Sequence, residues 1–326
     1  MNILYVGKFF PCATYKSLMT EMIARDLRQC GNKVFLLSDA WCTVYEDEFC
    51  GNVLSLSDKG PFEKKYYIDP LQKRIRSKER ISCMLGLACK IIEFEKIDCI
   101  IFSDSAEYLP VLELVKVRYN LPIFYALFDD NFITMILDDY IHPFAEYALS
   151  SFNGIFTDPF LADFLVNQLH INPNIIHKTV PVRGIKNVSV KDDNILYILL
   201  NKYNCEHIET VLSQFNSLVM DSVILKVATI DENPISQNRD YDMIPMNRIP
   251  SGAMIASEDL LTLNTPSYGF VLFALSKGFC PMINSTYENC IILNGEQTKK
   301  YGKLSLITEL NIDYRPFFDL VHVDLV

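Results

Sequence analysis

The chain of 326 residues carries 30 Lys and Arg against 40 Asp and Glu, a formal charge of −10, with 50% apolar and 21% charged residues. At about 150 residues per domain this length predicts two domains, and the composition is that of a folded globular chain, not a disordered one. The acidic balance argues against a nucleic-acid carrier, which presents a basic face to phosphates, so no nucleic-acid partner is expected.

In chain order, residues 2–6 (NILYV) are a short apolar run ending at Gly7, after which Leu18, Met22, Ile23 and Leu27 recur at helical spacing. Gly31 and Asn32 then act as a helix stop, and 33–37 (KVFLL) reads as a second buried strand, so the chain opens as a βαβ unit. Residues 39–76, with Gly51, Gly60, Pro61 and the cations Lys64, Lys65, Lys73, Arg74 and Arg76, read as a solvated loop. Periodicity resumes with a helix over 79–96, a strand over 98–103 (DCIIFS), a helix over 107–119 and a strand over 121–128 (LPIFYALF). A helix over 141–150, a strand over 154–157, a helix over 159–169 with Pro159 in its first turn and a strand over 175–180 follow.

Composition turns polar over 181–193 (PVRGIKNVSVKDD), which sets the expected boundary between a domain at 1–181 and a second at 182–326. The alternation then restarts: a strand over 194–200 (NILYILL), a helix over 208–215, a strand over 222–228 (SVILKVA) and a segment at 241–250. A strand, turn and helix over 259–277 and a strand over 280–285 complete it. Continuous apolar strands alternating with helices predict parallel sheets covered on both faces. The expected architecture is α/β, two Rossmann-like parallel-sheet domains facing a cleft, with ligands held at the carboxyl ends of the strands. No short-period repeat or low-complexity tract is present, which excludes solenoids and linker arrays.

The ten cysteines are spread without short pairs, so neither a zinc ribbon nor a CxxC redox motif exists. Most sit in apolar runs, Cys99 in DCIIFS and Cys280 in GFCPMIN, where a reduced thiol acts as a small buried hydrophobe in a reducing compartment. His142, His170, His177, His207 and His322 form no H-x-H or H-E-x-x-H group. Each is expected to serve structure or surface, and no metal site is expected. The N-terminus lacks the basic-then-apolar pattern of a signal peptide, and no apolar run reaches the roughly 18 residues of a membrane span. A cytoplasmic chain, at most peripheral to a membrane, is therefore expected.

The first βα turn (GKFFP, 7–11) lacks the GxGxxG spacing, and neither GxxxxGK[ST] nor GxSxG occurs. Nicotinamide, flavin, P-loop and nucleophile-elbow chemistries are thus unsupported. Two features carry more. Asp129 and Asp130 follow the strand at 121–128, close in sequence to Asp138, Asp139 and His142. Paired acids at a strand end suit acid–base work or a hydroxyl-rich ligand, and equally suit a helix start. In the second half, residues 259–284 (DLLTLNTPSYGFVLFALSKGFCPMIN) join a strand, a small-residue turn at 265–269, a helix and a Gly-x-x-Pro step. Such a turn frees backbone N–H groups at a helix N-terminus for a phosphate, although a plain βαβ unit accounts for it as well.

With these segments together, the chain resembles the GT-B group of nucleotide-sugar glycosyltransferases, in particular the retaining family 4 type. NILYVG followed by a helix and Cys30-Gly31-Asn32-Lys33-Val34 is similar to that family's first strand and GHxV turn. Asp98-Cys-Ile-Ile is similar to its D-x-I strand, LPIFYALFD to its HD strand, and PSYGFVLFALSKGFCPMIN to its donor-site stretch. The departures are specific. The family's E-x7-E pair falls on Thr265 and Phe273, and the histidine of its HD strand on Phe128, leaving Asp129. Its basic pair falls at 200–206, where Lys202 is the cation, and its glycine-rich turn is reduced to Gly7 with Lys8 and Lys16 nearby. The chain also ends sooner after the donor stretch, so a reduced C-terminal domain is expected.

The resemblance implies catalytic roles for Asp129 and Asp130. It implies a donor nucleotide held by Lys202, Thr265, Ser267, Tyr268 and Gly269, and an acceptor side formed by Gly7, Lys8, Lys16 and Asp104. It implies no cofactor and no metal; the nucleotide sugar is the substrate, its sugar passing to a glycan or lipid-linked acceptor in polysaccharide or glycoconjugate synthesis. Each lost carboxylate that orients a sugar hydroxyl costs on the order of several kcal/mol of transition-state stabilisation. The alternative is therefore a catalytically inactive GT-B-like subunit that binds or stabilises a partner transferase, or associates with its own copies. A sugar-phosphate epimerase of similar build is a third class, without a locatable catalytic histidine and acids.

Overall fold

The computed structural model describes residues 1–7, 15–38, 54–55, 62–67, 77–103, 109–128, 142–157, 159–178, 188–200, 205–220, 222–229, 241–261, 268–284 and 300–307. Its contacts gather into two compact units, one holding residues 1–7 and 16–178 of this set and the other Tyr15 and residues 188–307. The boundary expected at 181/182 lies outside the described residues.

The first unit is built on an eight-stranded sheet formed by β1 (Asn2–Val6), β2 (Lys33–Ser38), β3 (Leu54–Ser55), β4 (Lys64–Tyr67), β5 (Cys99–Phe102), β6 (Ile123–Leu127), β7 (Gly154–Thr157) and β8 (Ile176–His177). The strand order is β3-β4-β2-β1-β5-β6-β7-β8. All neighbours are parallel except β3, which runs antiparallel to β4. The connecting helices are α1 (Tyr15–Gln29), α2 (Ser77–Glu95), α3 (Leu109–Tyr119), α4 (His142–Ser150) and α5 (Pro159–Asn167). Strands β1, β5 and β6 are buried along nearly their whole length because helices cover the sheet, which is why they read as unbroken apolar runs. Ile23 and Leu27 of α1, Met84, Ala88 and Ile91 of α2, and Val111 and Val115 of α3 are among the buried helix residues. From β1 the chain builds outward through β2 and β4 and then returns to build β5 through β8 on the other side. The direction reverses between β1 and β5, where a doubly wound sheet opens a crevice.

The second unit repeats this plan. Strands β9 (Asp192–Leu199), β10 (Ile224–Thr229), β11 (Ile244–Pro245), β12 (Ala253–Ser257) and β13 (Cys280–Asn284) are parallel in the order β11-β10-β9-β12-β13. The reversal falls between β9 and β12. A hairpin of β14 (Lys300–Tyr301) and β15 (Leu304–Leu306) extends the sheet antiparallel to β13. Helix α6 (Cys205–Asn216) follows β9 and buries Ile208, Val211 and Phe215, the expected 3–4 residue stripe. Helix α7 (Tyr268–Ser276) differs: Phe270 through Leu275 are all buried, so it is enclosed on every side, as an all-apolar helix requires.

Four expectations need correction. The stretch at 39–76 is not all loop, since β3 and β4 lie within it. The charged KKYY run is tolerated next to the sheet edge because Tyr66 is buried while Lys64 reaches Glu95 at 2.7 Å. The strand expected at the start of 259–277 is instead β12, five residues of small and medium side chains one step earlier, and Glu258–Leu261 form a 3-10 turn. Strand β8 begins at Ile176 and not at 175, because a 3-10 turn over Pro173–Ile175 uses the start of the expected 175–180 stretch, of which 179–180 lie outside the described residues. The second sheet is mixed, not wholly parallel, through the β14–β15 hairpin. Among the described cysteines, Cys99 and Cys280 are buried and Cys30, Cys83 and Cys89 half-buried.

Candidate functional site

Among the described residues, several buried polar residues stand at the carboxyl ends of the parallel strands. Strands β2, β7, β10 and β12 each finish on a buried hydroxyl residue, Ser38, Thr157, Thr229 and Ser257. The residues immediately before them are buried and apolar, so these strands switch from hydrocarbon to hydrogen-bonding groups at the edge where such sheets hold ligands. Thr157 Oγ1 donates to the Leu127 carbonyl at 2.8 Å.

In the first unit the reversal point is closed by Gly7 and Ser103. The Gly7 amide donates to the Leu37 carbonyl at 3.1 Å, and the Ser103 amide to the Val6 carbonyl at 2.8 Å, which brings the ends of β2, β1 and β5 together. A Cβ on Gly7 would sit 2.4 Å from Ser103 Oγ and 2.8 Å from the Tyr5 ring, so only glycine fits. Among the described residues the buried Ser103 hydroxyl meets no hydrogen-bond partner.

In the second unit the reversal point carries a hydrogen-bonded histidine–glutamate pair. Glu258 is the residue immediately after β12, and His207 stands in the first turn of α6, the helix that follows β9. His207 Nε2 lies 2.6 Å from Glu258 Oε2, with the histidine side chain 27% and the glutamate side chain 9% exposed. Asp26 and Glu258 are the buried acids among the described residues, and a carboxylate withdrawn from water needs such a partner.

The sequence-derived site residues distribute unevenly. Gly7 stands where expected, at the end of β1, and Lys16 belongs to α1. Tyr268 and Gly269 open α7, so the small-residue turn does lead into a helix N-terminus. Lys8, Asp104, Asp129, Asp130, Lys202, Thr265 and Ser267 lie outside the described residues. Phe273, at the second position of the E-x7-E pair, is fully buried with its ring 6.2 Å from that of Phe270. Phe128 is likewise buried. The His207–Glu258 pair was missed, because 51 residues separate its members and no spacing rule links them. The signal that could have found it is an acid directly following an apolar strand.

Among the described residues no group of three or more His, Cys, Asp or Glu is placed to hold a metal ion, and no helix is long and apolar enough to cross a membrane. No protein-family model and no curated protein sequence matches the chain. Solved structures do. The Arabidopsis thaliana UGT89C1 structure is similar at 12% identity with a TM-score of 0.51, over 86% of this chain and 78% of that one. The glycosyltransferase SnogD from Streptomyces nogalater matches at 13% identity and a TM-score of 0.46, over 86% of this chain and 80% of that one. UDP-GlcNAc 2-epimerase from Methanocaldococcus jannaschii matches at 11% identity and a TM-score of 0.46, over 80% and 81%. UGT89C1 has been solved with quercetin, with UDP and with UDP-L-rhamnose. The likeness to UGT89C1, together with the two doubly wound sheets, makes the fold that of the GT-B glycosyltransferases.

Proposed function

We propose that this chain is a nucleotide-sugar glycosyltransferase, resembling the family 4 type, that transfers a sugar to a glycan or lipid-linked acceptor in cytoplasmic polysaccharide or glycoconjugate synthesis. The observation that carries this reading is the tandem repetition of one sheet plan, with hydrogen-bonding residues gathered at the carboxyl ends of both sheets. In this reading the second unit holds the nucleotide, with the N-terminus of α7 and Lys202 facing its phosphates. The first unit holds the acceptor near Gly7, with Asp129 and Asp130 supplying acid–base groups. No metal or cofactor enters.

Isothermal calorimetry against UDP-, GDP-, ADP- and CMP-sugars tests it. One nucleotide class should bind with micromolar to submillimolar affinity, and absence of heat with every donor at millimolar concentration sinks the reading.

A second reading has its own support. Phe273 is buried against Phe270 where a sugar-orienting carboxylate would stand, which favours a GT-B-like subunit that binds a partner transferase without turnover. Donor hydrolysis or transfer by the purified chain, lost in Asp129→Ala and Lys202→Ala, decides against that subunit.

A further inference from the structure

We infer that Ser103 is a binding residue of the first unit, its hydroxyl the group that pairs with a hydroxyl of the acceptor sugar and sets which acceptors fit. This inference rests on the acceptor side proposed above and adds to it a residue that neither the sequence motifs nor the family resemblance supplies. Ser103 directly follows β5 and Gly7 directly follows β1, so the two stand side by side where the strand order of the first sheet reverses. Their backbone donors are committed, the Gly7 amide to the Leu37 carbonyl at 3.1 Å and the Ser103 amide to the Val6 carbonyl at 2.8 Å. The Ser103 hydroxyl is the donor these two residues have left, and among the described residues it meets no hydrogen-bond partner.

A hydroxyl withdrawn from water without a partner destabilises the fold, and alanine in its place would avoid that. The chain instead makes room for the oxygen. A Cβ on residue 7 would lie 2.4 Å from Ser103 Oγ, so glycine at that position is what lets the hydroxyl approach β1. The residue as a whole is half-buried, so a turn about its Cα–Cβ bond would carry the hydroxyl from Gly7 to the carboxyl ends of β1 and β5, where a ligand oxygen can meet it. The chemistry favours a neutral ligand. With both amides bound to strand carbonyls, Gly7 and Ser103 offer no pair of backbone N–H groups to a phosphate, whereas one hydroxyl, donor and acceptor at once, matches a sugar hydroxyl. Such a site also discriminates, because an analogue lacking that hydroxyl leaves the serine unpaired.

The test uses the full chain as wild type, Ser103→Ala and Ser103→Cys, each also melted without ligand. Methyl glycosides of glucose, galactose, mannose and N-acetylglucosamine, with their monodeoxy analogues, are titrated by saturation-transfer NMR, and the nucleotide sugars by calorimetry. For a glycoside that binds the wild type, one deoxy analogue should bind about tenfold more weakly. In Ser103→Ala the parent glycoside should weaken by about the same factor, and that analogue should no longer differ from it. Ser103→Cys, close in shape but a weak hydrogen-bond former, should lose affinity as alanine does. Both variants should melt no more than about 2 °C below the wild type, since no bond within the protein is lost. A larger fall in Ser103→Ala makes the hydroxyl a structural tie and overturns the inference. Glycoside binding that is unchanged in Ser103→Ala, weakened equally for the parent and every analogue, or restored by cysteine overturns it as well. So does a loss of nucleotide-sugar affinity alone, which would place Ser103 against the donor's sugar. Donor binding without any glycoside binding by the wild type overturns the inference and leaves the transferase reading intact, whereas binding of neither removes both.

Discussion

Glu95, at the end of α2, accepts from Lys64 Nζ at 2.7 Å and from the Tyr66 hydroxyl at 2.5 Å. Burial pushes its carboxyl up, but those two bonds and the Lys64 charge outweigh it and hold the group below the usual range. The same contact, with burial first, raises the Tyr66 phenol. A carboxyl depressed in the folded state adds stability above its unfolded value of about 4.3 and loses it as pH falls through the folded value. Glu95→Gln, which keeps an acceptor and drops the charge, should therefore destabilise by about 1 kcal/mol at neutral pH, with the gap closing below about pH 4. Denaturant melts at pH 7 and pH 3.5 measure this, and an equal gap at both contradicts it. The buried thiols make a second residue-scale expectation. Burial raises Cys99 to about 12 and Cys280 to about 11, so neither forms thiolate near pH 8. In the native protein both should resist an aromatic disulfide reagent at pH 8 and react once guanidinium unfolds it, as mass mapping of the labelled sites would read; native labelling of Cys99 at the unfolded rate would contradict its burial.

At the scale of elements, the β14–β15 hairpin depends on one backbone position. Gly302 has φ +67°, and a Cβ there would lie 2.3 Å from the Leu218 carbonyl oxygen, while Lys303 N donates to that same carbonyl at 2.8 Å. Gly302→Ala should cost about 2 kcal/mol or more, through both the left-handed backbone and the clash, seen as a lower denaturation midpoint; an unchanged midpoint would mean that the hairpin sits differently. That hairpin was not legible in the sequence, and the reason also explains the other gaps. Strands such as NILYV and LPIFYALF announce themselves because both faces are buried and the whole run must be apolar. Strand β4 carries two lysines because it lies one strand from the edge, and β12 (AMIAS) uses small residues, so neither shows the bulky continuous pattern. Gly7 was legible because a glycine ending a first strand is local information. The His207–Glu258 contact was not, because it arises when the sheet order brings β9 beside β12, and sheet order lies in long-range pairing.

At the scale of the molecule, each unit has its own apolar core and its own reversal point, and the donor reading assigns the nucleotide to one of them. The chain's charge of −10 repels an anionic nucleotide at long range, so under the donor reading binding would come from short-range groups. Such binding stabilises the native state of the part that holds the ligand, by about 2.7 kcal/mol at a ligand concentration one hundred times Kd. The stabilisation is local wherever opening is local. Hydrogen exchange followed by mass spectrometry, with and without the nucleotide that binds in calorimetry, should therefore show slowed exchange in β9, β12 and the first turns of α6 and α7. Strands β1 and β5 should exchange at the same rate in both conditions. Slowing centred instead on the ends of β1 and β5, around Gly7 and Ser103, would assign the nucleotide to the first unit and reverse the donor and acceptor sides. The Ser103 hydroxyl, buried with no hydrogen-bond partner among the described residues, would then be the group to mutate next, since such a donor is the one a ligand oxygen would satisfy.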